Sequence, residues 1–159
     1  MSPRSAGVAL LAVLSLAAGA CSSTGEKVIG KKPPFNEVQP AVAFEMLRDN
    51  PGLPVIDLRS SEEYGGPEGH LRGALNVPIS RLPHHLDDLA SLRDRTFLIY
   101  CGPGDCGPDG LQILKKAGFG EVVLMAGGLD GWVARGFGTV TGPAPPWRFD
   151  HKSGKVKVD

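Results

Sequence analysis

The stretch Phe97-Leu98-Ile99-Tyr100-Cys101-Gly102-Pro103-Gly104-Asp105-Cys106-Gly107-Pro108-Asp109-Gly110 decides how this chain reads. Its first four residues have the apolar and aromatic composition of a buried strand. The next ten are too rich in glycine and proline to continue it. Leu111, Leu114 and Ala117 then recur at helical spacing until Gly118, a helix stop. Strand, glycine loop and helix in that order form the kind of place where open α/β sheets bind ligands, beyond the carboxyl end of a strand. Gly102, Gly104 and Gly107 let the backbone curl so that several N–H groups converge on one atom. Backed by a helix N-terminus, such a nest stabilises an anion. Cys101 places a sulfur there, and its thiolate is the nucleophilic form. The plainer alternative is a cysteine that merely finishes a buried strand, but the glycine loop behind it favours the nucleophile.

On either side the pattern alternates. Pro40 opens a helical stretch to Asn50, with Ala43, Met46 and Leu47 on one face and Pro51-Gly52 as its stop. Val55-Ile56-Asp57-Leu58 is a short strand-like run. Ser61-Glu62-Glu63-Tyr64 has capping chemistry for one or two helical turns before Gly65-Gly66-Pro67. Ala74 to Val77 reads as a further strand ahead of Pro78, and Leu82, Leu86, Leu89 and Leu92 predict a helix face. Val122 to Met125 is another strand, and Leu129, Trp132 and Val133 mark a last helix face. Strands and helices taking turns imply crossover connections, hence an α/β domain whose parallel sheet carries helices on both faces.

The 159 residues, 42% of them apolar, suffice for one core. Seventeen basic against 17 acidic residues leave no electrostatic footprint for nucleic acid. Three cysteines are too few for a disulfide scaffold, so each needs its own explanation. For Cys21 the N-terminus supplies one. Basic Met1–Arg4 precedes an uncharged apolar run, Ala6 to Ala18, short of the roughly 20 residues that span a bilayer and matching a signal-peptide core. Ala18-Gly19-Ala20-Cys21 resembles the lipobox of bacterial lipoproteins, though Ala18 stands where a larger aliphatic residue is commoner. The expectation is a signal peptide over 1–20 and a lipidated Cys21 heading a flexible tether over 21–38. A soluble exported protein, cut by the ordinary signal peptidase, is the alternative. The first reading places the domain on the extracytoplasmic side of a bacterial cell envelope, held to the membrane by its lipid. The domain proper is expected over 39–137, and 138–159 reads as a mobile tail whose Trp147 and Phe149 are candidates to dock back.

Several segments together resemble the rhodanese family. They are Val55-Ile56-Asp57-Leu58-Arg59 with Glu63-Tyr64, Gly69-His70-Leu71-Arg72-Gly73-Ala74, and Asn76-Val77-Pro78. Tyr100-Cys101-x-x-Gly104, Gly118-Phe119 and Met125-Ala126-Gly127-Gly128-Leu129-x-Gly131-Trp132 complete the set. The resemblance implies a single rhodanese-like domain and sulfurtransferase activity. Cys101 then corresponds to the nucleophile that carries sulfane sulfur as a persulfide. Gly102, Pro103, Gly104, Asp105, Cys106 and Gly107 correspond to the loop that cradles the outer sulfur. The implied partners are a small sulfur donor and a thiol or other thiophilic acceptor, with no cofactor and no metal. Arg59, His70 and the Asn76 region match positions that shape the fold. By their residue types, Asp57 and Arg59 suit a buried pair or cap at a strand end, and His70 a hydrogen-bonded turn.

Two departures from the family pattern bear on chemistry. In many sulfurtransferases the loop carries arginine or lysine to meet an anionic donor; here it holds no cation and one carboxylate, Asp105, which repels a dianion. The Cys-Gly-x-Gly opening resembles mercaptopyruvate-using members, so thiosulfate, mercaptopyruvate and a thiol persulfide all stay open as donors. The second departure is Cys106. In an oxidising compartment it is a resolving or redox thiol, half of a structural disulfide, or an inert packing residue. A disulfide requires the two Cα atoms to approach within about 4.4–6.8 Å. Two other functions compete: thiol–disulfide exchange through Cys101 and Cys106, and non-catalytic partner binding. Related cysteine phosphatases and arsenate reductases place arginine six positions after the cysteine; Gly107 stands there and cannot clamp an oxyanion. His84 and Asp88 lie one turn apart but lack a third ligand, which suits a solvated surface better than a metal. Gly127-Gly128 reads as a turn into the last helix and not as a phosphate loop.

Overall fold

The computed structural model describes residues 36–104, 106–143, 147–150 and 155–158, the last two segments by their backbone course. The elements in chain order are β1 (Glu37–Val38), α1 (Pro40–Asp49), β2 (Val55–Asp57), α2 (Ser61–Tyr64) and β3 (Leu75–Asn76). Then come β4 (Phe97–Tyr100), α3 (Cys106–Lys116), β5 (Val122–Met125), α4 (Gly128–Ala134), β6 (Trp147–Asp150) and β7 (Lys155–Val158). The first five strands form one parallel sheet in the order β1-β5-β4-β2-β3.

Side-chain alternation along the central strands builds two cores. Phe97 and Ile99 of β4 point to the face covered by Leu111 and Leu114 of α3, together with Leu82, Leu89 and Leu92. Leu98 and Tyr100 point the other way, against Ala43 of α1, Tyr64 of α2, and Leu129 and Trp132 of α4. The strands are buried on both faces, which is why they read as unbroken apolar runs. Helix α3 ends as its sequence suggests. Gly118 adopts φ +86°, its N–H donates to the Lys115 carbonyl, and the Phe119 N–H donates to that of Leu114.

The expected α/β fold is present, with local differences. The leucine face from Leu82 to Leu92 is not one α-helix but two 3₁₀ turns, Leu82–His84 and Ala90–Leu92. Leu86, Leu89 and Leu92 recur every third residue, the period of a 3₁₀ turn, whereas an α-helical face alternates steps of three and four. Leu82, Leu89 and Leu92 are fully buried all the same. Val133, expected on the buried face of the last helix, is exposed.

The domain also extends past both expected ends. Glu37 and Val38, assigned to the tether, pair in parallel with Leu124 and Met125 at the sheet edge. Beyond α4, Val140 forms an antiparallel bridge with His70, and the Trp132 indole N–H donates to the Gly138 carbonyl at 3.1 Å. The stretch read as a mobile tail therefore begins as part of the packed domain. Farther on, β6 and β7 pair antiparallel, Trp147 opposite Val158. The side chains of Trp147 and Phe149 lie outside the described part, as do the 1–20 and Cys21 assignments.

Candidate active site

Cys101 sits at the carboxyl end of β4, beside β2. The chain leaves β2 toward β3 on one side and β4 toward β5 on the other, so the β2/β4 boundary is the sheet's switch point, where such sheets bind ligands. Two contacts fix the strand end there. The Leu58 N–H donates to the Tyr100 carbonyl at 2.9 Å, and the Leu129 N–H donates to the Cys101 carbonyl at 2.8 Å. The second contact needs the double glycine at the start of α4. Gly127 and Gly128 have φ +67° and +55°, and a Cβ on Gly128 would collide with the Cys101 carbonyl. The pair read as a simple turn thus lets the last helix approach the nucleophile's backbone.

The three loop glycines divide their work. Gly104 takes φ +121° with open space where a Cβ would stand. Gly107 lies in α3, where a Cβ would come within 2.9 Å of Leu124 Cδ1, so it serves close packing of helix on sheet. Gly102 faces the Arg59 stem and the Glu63 carboxylate, 3.4 and 3.5 Å from an added Cβ. Asp105 lies outside the described residues. Cys106 opens α3, and the structure pairs it with Cys101 as a disulfide, Cα atoms 6.1 Å apart. That distance lies inside the bonding range.

Cys101 is 4% exposed and borders two cavities. One, about 160 Å³, lies on the β5 flank, bounded by Glu37, Gly104, Gly107 and Ala126 to Gly128. The other, about 230 Å³, lies on the β2 and β3 flank, bounded by Arg59, Ser60, Glu63, Ile79 and Cys106. Among the described lining residues Arg59 is the cation, and it is already engaged. Its Nη2 donates to Asp57 Oδ2 at 2.6 Å and to the Gly69 carbonyl at 2.8 Å, while Nε donates to Asp57 Oδ1 at 3.1 Å. Burial alone would pull Arg59 down, but the bonds and charge of Asp57 outweigh it and hold the guanidinium above its ordinary value. Glu63 accepts from the Ser60 hydroxyl and N–H at 2.7 and 2.9 Å. Those bonds, the hydroxyl's first, hold its carboxyl below the usual range and keep it charged.

The remaining expected residues fall into supporting places. Asn76 Nδ2 donates to the Arg59 carbonyl at 2.8 Å, and His70 is buried, stacked on Tyr64 with Nδ1 3.1 Å from the Tyr64 carbonyl. Asp57 and Arg59 form the buried pair their types suggested. His85, not His84, meets Asp88, at 2.9 Å on the surface. Glu37, and Glu63 as a wall of the Cys101 cavity, were not anticipated. The capping pattern of Glu63 is visible in sequence, but its place beside Cys101 depends on β2 lying next to β4.

Comparison with known proteins agrees with this geometry. Residues 40–135 match the rhodanese-like domain family, and the chain belongs to it. A sulfurtransferase of Allochromatium vinosum is 26% identical over 101 residues, which are 64% of this chain and 91% of that protein. MoeZ of Mycobacterium tuberculosis, a probable adenylyltransferase/sulfurtransferase, is 33% identical over 96 residues, 60% of this chain but 24% of that protein. The rhodanese-like domain of Alr3790 from Anabaena superposes with a TM-score of 0.58 at 27% identity, covering 67% of this chain and 79% of that one. The chain thus matches nearly all of the first protein and about a quarter of the second.

Proposed function

We propose that this protein is an envelope-anchored sulfurtransferase in which Cys101 carries sulfane sulfur as a persulfide. The observation that carries the reading is the position of Cys101 at the β2/β4 switch point, bordering two cavities at the head of a glycine loop. With the cysteine reduced, its thiolate attacks the transferable sulfur of a donor, the outer sulfur of a persulfide or the carbon-bound sulfur of mercaptopyruvate, and forms a sulfur–sulfur bond. The donor's remaining fragment leaves with the electron pair of the broken bond. A thiolate acceptor then attacks the outer sulfur and returns Cys101 to its thiolate. The carboxylates Glu37 and Glu63 flank the site and Arg59 is neutralised by Asp57. That charge pattern favours a singly charged donor, such as mercaptopyruvate or a thiol persulfide, over dianionic thiosulfate. Lipidation of Cys21 would hold the domain to the membrane by a tether. A second reading, thiol–disulfide exchange, is favoured by the Cys101–Cys106 disulfide.

The test is mass spectrometry of the reduced protein after incubation with each donor. The expected result is a gain of one sulfur, about 32 Da, on Cys101, retained by the Cys106→Ser variant, whose loop has no second thiol to displace it. Cys101→Ser should lose both the adduct and thiocyanate formation with cyanide, because an alcohol does not store sulfane sulfur. Full transfer by Cys101→Ser refutes the reading, and disulfide reduction without any sulfur adduct favours the exchange reading.

A further inference from the structure

Resting on the sulfurtransferase reading, we infer that Cys106 is a resolving thiol. It discharges the Cys101 persulfide as sulfide, making the protein a sulfane-sulfur reductase as well as a carrier. The argument starts from the two cavities. Cys101 borders both, whereas Cys106 lines only the one on the β2 and β3 flank. The cavity on the β5 flank, with Gly104 and Gly107 in its wall, has room for an outer sulfur. Displacement at sulfur requires the attacking and departing atoms to stand on opposite sides of the sulfur attacked. An outer sulfur held in the β5-flank cavity would stand on the side of Cys101 away from Cys106, the arrangement this displacement uses. The disulfide shows that Cys106 reaches the inner sulfur with the Cα atoms 6.1 Å apart.

The step balances. The Cys106 thiolate bonds to Cys101 Sγ, the bond from Sγ to the outer sulfur breaks, and that sulfur departs as HS⁻ with the bonding pair. The sulfane sulfur gains two electrons and the two cysteines lose two as they become the disulfide. In total, a persulfide anion and a thiol give a disulfide and HS⁻. A dithiol reductant then opens the disulfide by exchange and is itself oxidised to a disulfide, which restores both thiols. Attack on the outer sulfur would be a different event, moving the sulfur to Cys106 without releasing sulfide.

The experiment is an anaerobic single turnover of the full chain. Protein is reduced, freed of reductant and loaded in parallel with thiosulfate and with mercaptopyruvate. Wild type should release about one equivalent of sulfide per chain and finish about 2 Da lighter, as the 101–106 disulfide. Cys106→Ser and Cys106→Ala should instead keep the added sulfur, about 32 Da, and release less than about a tenth of the sulfide. Added cyanide should then recover that sulfur from the variants as thiocyanate. A wild type that holds its persulfide, moves it to Cys106, or releases sulfide at the same rate as both variants overturns the inference while leaving Cys101 as the carrier. If no protein takes up sulfur from either donor, the sulfurtransferase reading falls and this inference with it.

Discussion

Asp57 and Arg59 show how much of the site rests on one buried ion pair. Both are buried, and the Asp57 carboxylate binds the Arg59 side chain and backbone N–H together. Arg59 in turn ties to the Gly69 carbonyl, and Asn76 ties to the Arg59 carbonyl. The guanidinium stem then walls the cavity beside Gly102. Breaking one side of a buried ion pair strands the other charge, which costs about 3–5 kcal/mol. Asp57→Ala should therefore lower stability by about that amount in urea titrations. A loss below about 1 kcal/mol would mean that water reaches Arg59 and that the pair is not a buried unit. The sequence suggests the pair because two opposite charges sit two residues apart at a strand end. It does not disclose Gly69 or Asn76 as partners, since those arrive from other segments only when the sheet forms. Tyr64 belongs to the same group: buried under the turn and bonded to the Ala74 carbonyl, its phenol is pushed up to about 12, burial being the main cause.

Among the α-helices, α2 is the shortest and carries the clearest local code. Ser60 and Glu63 close a reciprocal capping box, Ser60 Oγ accepting from the Glu63 N–H at 3.1 Å while Glu63 accepts from Ser60. Ser60→Ala should cost about 1 kcal/mol. The box also has a pH signature. Because the Glu63 carboxyl is held below its ordinary 4.5, its charged form stabilises the fold. That contribution is complete above the unfolded value and lost as pH falls through the folded one. Urea midpoints of wild type and Glu63→Gln, compared from neutral pH into acid, should therefore converge as the pH falls below the ordinary carboxylate range and through the lowered value of Glu63. A gap that persists undiminished into acid would show that the charge contributes nothing. Elements with a local code of this kind were legible: α1 behind Pro40, the apolar runs of β2, β4 and β5, and the stop at Gly118. Those that depend on a neighbour were not. The strand β1 is two residues of edge pairing with no apolar run, and the Leu82–Leu92 segment has a helix-like leucine pattern but folds as two 3₁₀ turns whose leucines are buried by the sheet and α3. The glycine loop lay between these cases. Its site character was readable, but the separate packing role of Gly107 follows from Leu124, a residue of β5.

At the scale of the whole molecule the described domain contains what the proposed chemistry uses. The nucleophile, its resolving partner and both cavities lie between β1 and α4, and none of them draws on residues before Glu37. Among the described residues no helix is long and apolar enough to cross a membrane. The proposed location rests on the reading of the segment ahead of the domain. Lipid on Cys21, joined through a polar and glycine-containing tether, would supply an anchor whose strength comes from buried acyl chains and not from the fold. Anchor and catalysis should therefore separate cleanly. Expressed in a bacterium with lipoprotein processing, wild type should sediment with membranes and partition into detergent, its mature N-terminus an acylated Cys21. Cys21→Ala should leave the membrane fraction or accumulate unprocessed. Sulfur loading of Cys101, measured in the Cys106→Ser background on equal amounts of the detergent-solubilised full chain and of a chain begun at residue 31, should agree within about twofold, since both cavities are lined by residues from Glu37 onward. A soluble wild type whose N-terminus lies elsewhere would refute the anchor. A tenfold loss of loading in the shortened chain would mean that the tether contributes to the site itself.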